Sequence, residues 1–275
     1  MKITDIKALE RIANEIRIGI IEAVYHAKSG HPGGSLSSAD IMTALYFNQM
    51  NIDPKKPNSE ERDRFVLSKG HCSPALYSTL ARRGYFEKEK LLEFRKLESN
   101  MQGHPDMNKV PGVDMTSGSL GQGVSVANGM ALASKIDKKG YRVYCLLGDG
   151  EIEEGQVWEA LMSSSKYKLD NLCIIVDNNN LQIDGTIEEI KGLKNIPEKF
   201  KSFGFNTLEI DGNNMEEILN AFNVAKQIKG MPTAIIAKTI KGKGVSFMEN
   251  NVSWHGKAPN DDEYKQAIDE LIKKI

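Results

Sequence analysis

At 275 residues, with 36 basic and 37 acidic side chains and no long run of either sign, the chain has the length of one large α/β domain. That balance leaves no electrostatic footprint for nucleic acid or an anionic membrane, and a small-molecule enzyme fits better. Residues 1–10 alternate charged with apolar side chains, unlike a secretory signal, and no apolar run approaches a membrane span. Cys72, Cys145 and Cys173 are odd in number and two lie in strand-like runs, so no disulfide framework is expected and the reducing cytoplasm is the expected compartment.

In chain order, Ile6, Leu9, Ile12, Ile16, Ile20 and Val24 recur at threes and fours, which predicts a long first helix with Gly30 as its stop, delivering the chain to His31. Residues 40–49 and 75–83 read as shorter helices, and 64–68 between them as a strand running into Lys69-Gly70-His71. From Gly121 the pattern becomes regular: a small-residue helix to about Lys138, a strand 143–147, a helix 157–167 and a strand 172–176. A helix near Phe200, a strand 207–210, a helix 215–228 and a strand 233–237 follow. The strands are nearly continuous apolar runs, as in a parallel sheet covered on both faces, so the expected fold is a three-layer α/β/α open parallel sheet. Residues 1–275 read as one domain, with 241–275 an irregular loop closed by a short helix over 262–274. Such sheets bind ligands beyond the carboxyl ends of their strands.

The polar clusters fall at those ends. Gly148-Asp149-Gly150 follows one strand, and Asn178-Asn179 follows Asp177 at the end of the next. A carboxylate and an amide oxygen held at adjacent strand ends supply hard ligands for Mg2+ or Ca2+, and flanking glycines let backbone approach a phosphate closely. Either cluster alone also reads as a polar turn. Four of the five histidines stand in glycine- or proline-bearing clusters, around His31, His71, His104 and His255, while His26 reads as structural. Histidine moves protons and binds polar oxygens near neutral pH, so a cleft lined by several suits carbohydrate chemistry. Gly118-x-x-Gly121-x-Gly123 is a weak motif that also suits the tight start of a helix. Glu151 and Glu153 read as acids placed by a helix dipole, and Trp158 as interface or core packing.

The paired strand-end motifs resemble those of thiamine-diphosphate enzymes, and the four histidine clusters, in this order around them, resemble transketolases over about residues 15–260. The resemblance implies a thiamine-diphosphate-binding fold. It implies that Asp149, Asn179 and the Leu181 carbonyl hold Mg2+, for which Ca2+ or Mn2+ can substitute. The cofactor would meet His71, Gly118, Leu120, Gly148, Asp149, Gly150, Glu154, Asn179 and His255. His31, His104 and His255 would face the donor ketose as catalytic residues with Glu154, and Glu154 and Glu159 would belong to a carboxylate relay between paired sites across a subunit interface.

The implied reaction is transfer of a two-carbon ketol unit from a ketose phosphate to an aldose phosphate, the cofactor performing the covalent step. A full-length family member continues past the position matching His255 into a pyrimidine-binding domain that supplies an activating glutamate, and then into a third domain. This sequence stops at Ile275. It is therefore expected to be the N-terminal subunit of a split transketolase, completed by a C-terminal subunit, with an α2β2 heterotetramer as the expected assembly. The rival expectations are a subunit of another thiamine-diphosphate enzyme, such as dihydroxyacetone synthase, a 1-deoxy-D-xylulose-5-phosphate synthase or the α subunit of a 2-oxo-acid dehydrogenase, or a non-catalytic cofactor-binding subunit. Gly34-Ser35, Ser119 and Leu181-Gln182 depart from the commoner family pattern and leave the donor sugar open.

Overall fold

A computed structural model describes residues 2–275. The first helix, α1 (Ile6–Ala27), opens on Asp5, whose side chain accepts from the Lys7 amide, and buries its apolar stripe from Leu9 to Val24. It does not end at Gly30. Lys28 takes the left-handed conformation, φ 50°, and its amide bonds back to the Tyr25 carbonyl. Gly30 serves a packing need: at φ 146° it passes so close to Val24 that a Cβ would lie 2.9 Å from Val24 Cγ2.

The next turn is helical where the sequence showed no periodicity. Pro32 starts α2 (Pro32–Ser37), α3 (Ala39–Ala44) follows, and residues 45–49 form a π turn, so the expected helix over 40–49 is two differently wound pieces. Then come β1 (Arg64–Leu67), a 3-10 turn over Gly70–Cys72, and α4 (Ser73–Arg83). After a long irregular stretch the chain alternates α5 (Gln122–Ile136), β2 (Val143–Gly148), α6 (Gly155–Lys166) and β3 (Leu172–Asn178). It continues through α7 (Ile187–Ile190), α8 (Ile196–Ser202), β4 (Asn206–Asp211), α9 (Met215–Gln227), β5 (Thr233–Lys238) and α10 (Asp261–Ile272).

All five strands are parallel, in the order β1-β2-β3-β5-β4. Alternate strand residues face opposite layers. Tyr144, Leu146, Cys173, Ile175 and Ile235 pack with α1, α3, α4, α9 and α10, whereas Cys145, Leu147, Ile174, Val176 and Ile236 pack with α5, α6 and α8. The three-layer expectation is met. Cys72, Cys145 and Cys173 are buried and unpaired, and among the described residues no helix is long and apolar enough to cross a membrane. The register sets Gly148 beside Asp177, and Asn178 beside Lys238. β5, inserted between β3 and β4, thereby carries Thr239 and Lys241 to the two polar clusters from the far end of the chain.

Candidate active site

Four strand ends and the turn after α1 converge on a cleft of about 350 Å3 lined by the expected His31, His71, Gly118, Leu120, Gly148, Asp149, Gly150, Glu154, Asn179, Leu181 and His255. A larger hollow of about 680 Å3 lies against α1 and α4, but its Glu15 and Arg82 pair with each other and it gathers no comparable polar set.

Close backbone approach explains the glycines that matter most. A Cβ on Gly70 would lie 2.7 Å from the Gly118 amide nitrogen, so the turn presenting His71 and the loop presenting Leu120 touch main chain to main chain. Gly121, at φ 83°, starts α5, and the first turn of α5 packs Gly123 onto Ser68.

His31, His71 and His255 form a triangle with ring centroids 5.1–5.4 Å apart. Burial and their mutual proximity, with Lys69 and Lys241 nearby, depress His31 and His71 to about 4 and His255 to about 3. All three are neutral at pH 7, each with a ring nitrogen able to accept a proton or a hydrogen bond. His104 is not among the lining residues: it stands at the rim with much of its surface exposed, its ring atoms 3.2 Å from where a Gly118 Cβ would be, and partial burial with Arg95 and His71 nearby lowers it too. His26 lies outside the cleft, against Tyr25 and Tyr264.

Asp149 is buried, with Oδ1 accepting from the Gly150 amide at 2.9 Å and Oδ2 from the Asn180 amide at 2.5 Å. Burial and the nearby Asp177 push it up to about 7. Asn179 Oδ1 accepts from the Leu181 amide at 3.2 Å. No cluster of three His, Cys, Asp or Glu side chains able to hold a metal occurs among the described residues. One carboxylate, one amide oxygen and one carbonyl instead form a hard-oxygen set that suits Mg2+ when phosphate oxygens complete the shell.

Sequence reasoning missed two lysines and misread one acid. Lys69 is fully buried and bonds the Gly34 carbonyl at 3.0 Å and the Asp177 carboxylate, which holds its charge against the cost of burial. Lys241 Nζ lies 3.0 Å from the Leu181 carbonyl and 3.0 Å from His255 Nδ1, and burial lowers it to about 8. Lys69 stands in the Lys69-Gly70-His71 run already noted and Lys241 opens the irregular loop, but nothing in the local pattern marks either as a site residue. Glu151, expected as a dipole-favoured acid, lies in a 3-10 turn ahead of α6. Its buried carboxylate accepts from Ser68 Oγ, the Gly121 amide at 2.9 Å and the Gly148 amide at 3.0 Å, bracing three loops of the cleft. Glu153 bonds Gln182 at 3.2 Å, Glu154 faces the cleft, Glu159 is exposed on α6, and Trp158 packs against Phe200 and Phe203.

Buried lysines, glycine-lined backbone and neutral histidines at the carboxyl end of a parallel sheet define an α/β protein whose cleft suits a phosphorylated ligand. A family model described as "Transketolase, thiamine diphosphate binding domain" matches residues 8–272. The chain is 43% identical over 270 residues to one subunit of the apulose-4-phosphate transketolase of Phocaeicola vulgatus, covering 98% of this chain and 96% of that one. It is 44% identical over 266 residues to a 6-deoxy-6-sulfo-D-fructose transketolase subunit of a Clostridium species, covering 97% of both. Against human transketolase it is 43% identical but spans only 43% of that protein. The crystal structure of Campylobacter jejuni transketolase superposes with a TM-score of 0.92 at 36% identity, over 98% of this chain and 43% of that one. The chain belongs to the transketolase family and carries its thiamine-diphosphate-binding domain.

Proposed function

We propose that residues 1–275 form one diphosphate-and-metal-binding domain that serves as the N-terminal subunit of a two-chain transketolase. A C-terminal subunit would supply the pyrimidine-binding half of each site in an α2β2 assembly, and the reaction would transfer a two-carbon ketol unit between sugar phosphates in the cytoplasm. The observation that carries this reading is the convergence of His31, His71 and His255 with Asp149, Asn179 and Leu181 in one cleft. The near-complete mutual coverage with two relatives named as transketolase subunits supports the two-chain form.

In this reading Asp149, Asn179 and the Leu181 carbonyl hold Mg2+, Lys69 and Lys241 bring positive charge to the diphosphate, and neutral His71 hydrogen-bonds to it. Gly118, Leu120, Gly148 and Gly150 allow the cofactor close to backbone, and Glu154 approaches it at the cleft wall. Thiamine diphosphate, when bound, supplies the covalent chemistry of carbon–carbon bond exchange. His31 and His255, neutral and facing the cleft, accept hydrogen bonds from donor hydroxyls and take up or return protons, and His104 closes the rim over Gly118. Glu154 and Glu159 lead from the cleft to the exposed face of α6, where a relay to a second site would run.

Asp149→Ala should abolish Mg2+-dependent thiamine diphosphate binding measured by calorimetry, and retention of near-normal affinity would refute the metal assignment. For the two-chain form, turnover of the purified chain with cofactor, Mg2+, xylulose 5-phosphate and an aldose phosphate is measured alone. Robust ketol transfer without a partner would overturn it.

A further inference from the structure

Asp177 is the most heavily bonded carboxylate in the molecule and has no role in the chemistry described above. It is fully buried at the end of β3. Its Oδ2 accepts from Ser37 Oγ at 2.6 Å, Ser38 Oγ at 3.2 Å, Asn179 Nδ2 at 3.4 Å and Lys69 Nζ, and its Oδ1 accepts from Thr239 Oγ1. Its backbone carbonyl accepts from the Asp149 amide at 3.3 Å. Asp177 therefore touches the turn after His31, the strand end before His71, both metal-side clusters and the segment leading to Lys241.

The contact with Asn179 has a chemical consequence. An ionised carboxylate only accepts hydrogen bonds, so the amide beside it must present its NH2 group, and its oxygen must face the other way. That oxygen accepts from the Leu181 amide at 3.2 Å and is the one that the hard-oxygen set with Asp149 uses. We infer that Asp177 is the positioning residue of the cation site: its charge locks the Asn179 amide with oxygen toward the metal position while anchoring Lys69 at the cleft floor. The inference rests on the metal-and-diphosphate reading of the cleft. Without the charge the amide can turn over and set its NH2 group toward the cation, and partners that orient metal ligands are worth about 10- to 100-fold in metal affinity.

The test uses the full chain with thiamine diphosphate and Mn2+ as probe, free Mn2+ being read by electron paramagnetic resonance and folding by a melt without ligand. Asp177→Asn combined with Lys69→Met removes both members of the buried ion pair, so no unpaired charge is left inside. It should melt cooperatively yet bind Mn2+ at least about tenfold more weakly than Lys69→Met alone, which removes the lysine's charge from the cleft but keeps Asp177 beside Asn179. Thr239→Val, which removes one bond to the same carboxylate but leaves Asn179 its partner, should bind near the wild-type value. Asn179→Asp covers the case in which the double variant does not fold. Added ligand charge by itself tightens cation binding, but here it sets a second carboxylate against Asp177, so weaker Mn2+ binding is expected. An affinity in the folded double variant no weaker than that of Lys69→Met alone, an equal loss in Thr239→Val, or tighter binding in Asn179→Asp would overturn the inference. A wild-type chain that binds no Mn2+ with the cofactor would instead overturn the reading beneath it.

Discussion

Gly123 and Gly129 lie on the same helix, α5, and should respond to alanine with opposite signs. Replacing glycine by alanine inside a helix stabilises it by about 1 kcal/mol through backbone entropy alone. At Gly129 a Cβ meets nothing within 4 Å, so Gly129→Ala should deliver most of that gain. At Gly123 a Cβ would lie 2.5 Å from Ser68 Cβ and 2.8 Å from Ser68 Cα, and backbone cannot turn aside as a side-chain tip can. Forcing α5 off the end of β1 is overpacking, which costs about 1–3 kcal/mol. It also pulls Ser68 Oγ from the buried Glu151 carboxylate, a charged hydrogen bond worth about 1.5–3 kcal/mol. The costs exceed the gain, leaving a net loss of about 1.5–5 kcal/mol. At about 2–4 °C per kcal/mol for a chain of this size, the midpoint should fall by several degrees. Urea and thermal unfolding followed by circular dichroism measure both variants. A Gly123→Ala chain as stable as Gly129→Ala would refute the close-approach argument, and with it the claim that Gly123 docks α5 on the strand end before Lys69.

Phe200, fully buried between Trp158 and Phe205, should cost about 3–5 kcal/mol as Phe200→Ala; a loss below about 1 kcal/mol in urea unfolding would contradict its place in that core layer. Lys139 reaches Glu60 and Glu61 at the surface, so Lys139→Ala should leave the unfolding midpoint unchanged, and a clear drop would show a buried role. The depressed cleft histidines give a signed pH dependence. Because His71 falls to about 4 in the folded chain, below its ordinary 6.5, the unfolded chain binds the proton first, and stability present above pH 6.5 is lost as pH falls toward 4. Asp149, raised to about 7, runs the other way, so the His71 effect is read as the difference between wild type and His71→Asn over pH 7 to 4.5. Equal slopes in the two chains would refute the depression of His71.

Much of the local order is legible in short stretches of chain. Apolar runs in β2, β3 and β5 and the threes-and-fours of α1 and α9 require only sequence neighbours, and every strand lies within two residues of its expected span. Gly148-Asp149-Gly150, Asn179 and three of the four clustered histidines were legible as site residues because turn chemistry and strand ends are local features too. Lys28 and Gly30 show where that stops: glycine was the expected cap, but its conformational freedom was needed against Val24, a contact made by packing, and lysine took the cap. The rest of the site depended on distance along the chain. Asp177 joins Ser37, 140 residues before it, to Lys69, 108 before it, and to Thr239, 62 after it, while Glu151 reaches 83 residues back to Ser68. A buried charge is tolerable only where partners arrive from elsewhere in the fold, and no one-dimensional pattern records which segments the β1-β2-β3-β5-β4 order sets side by side.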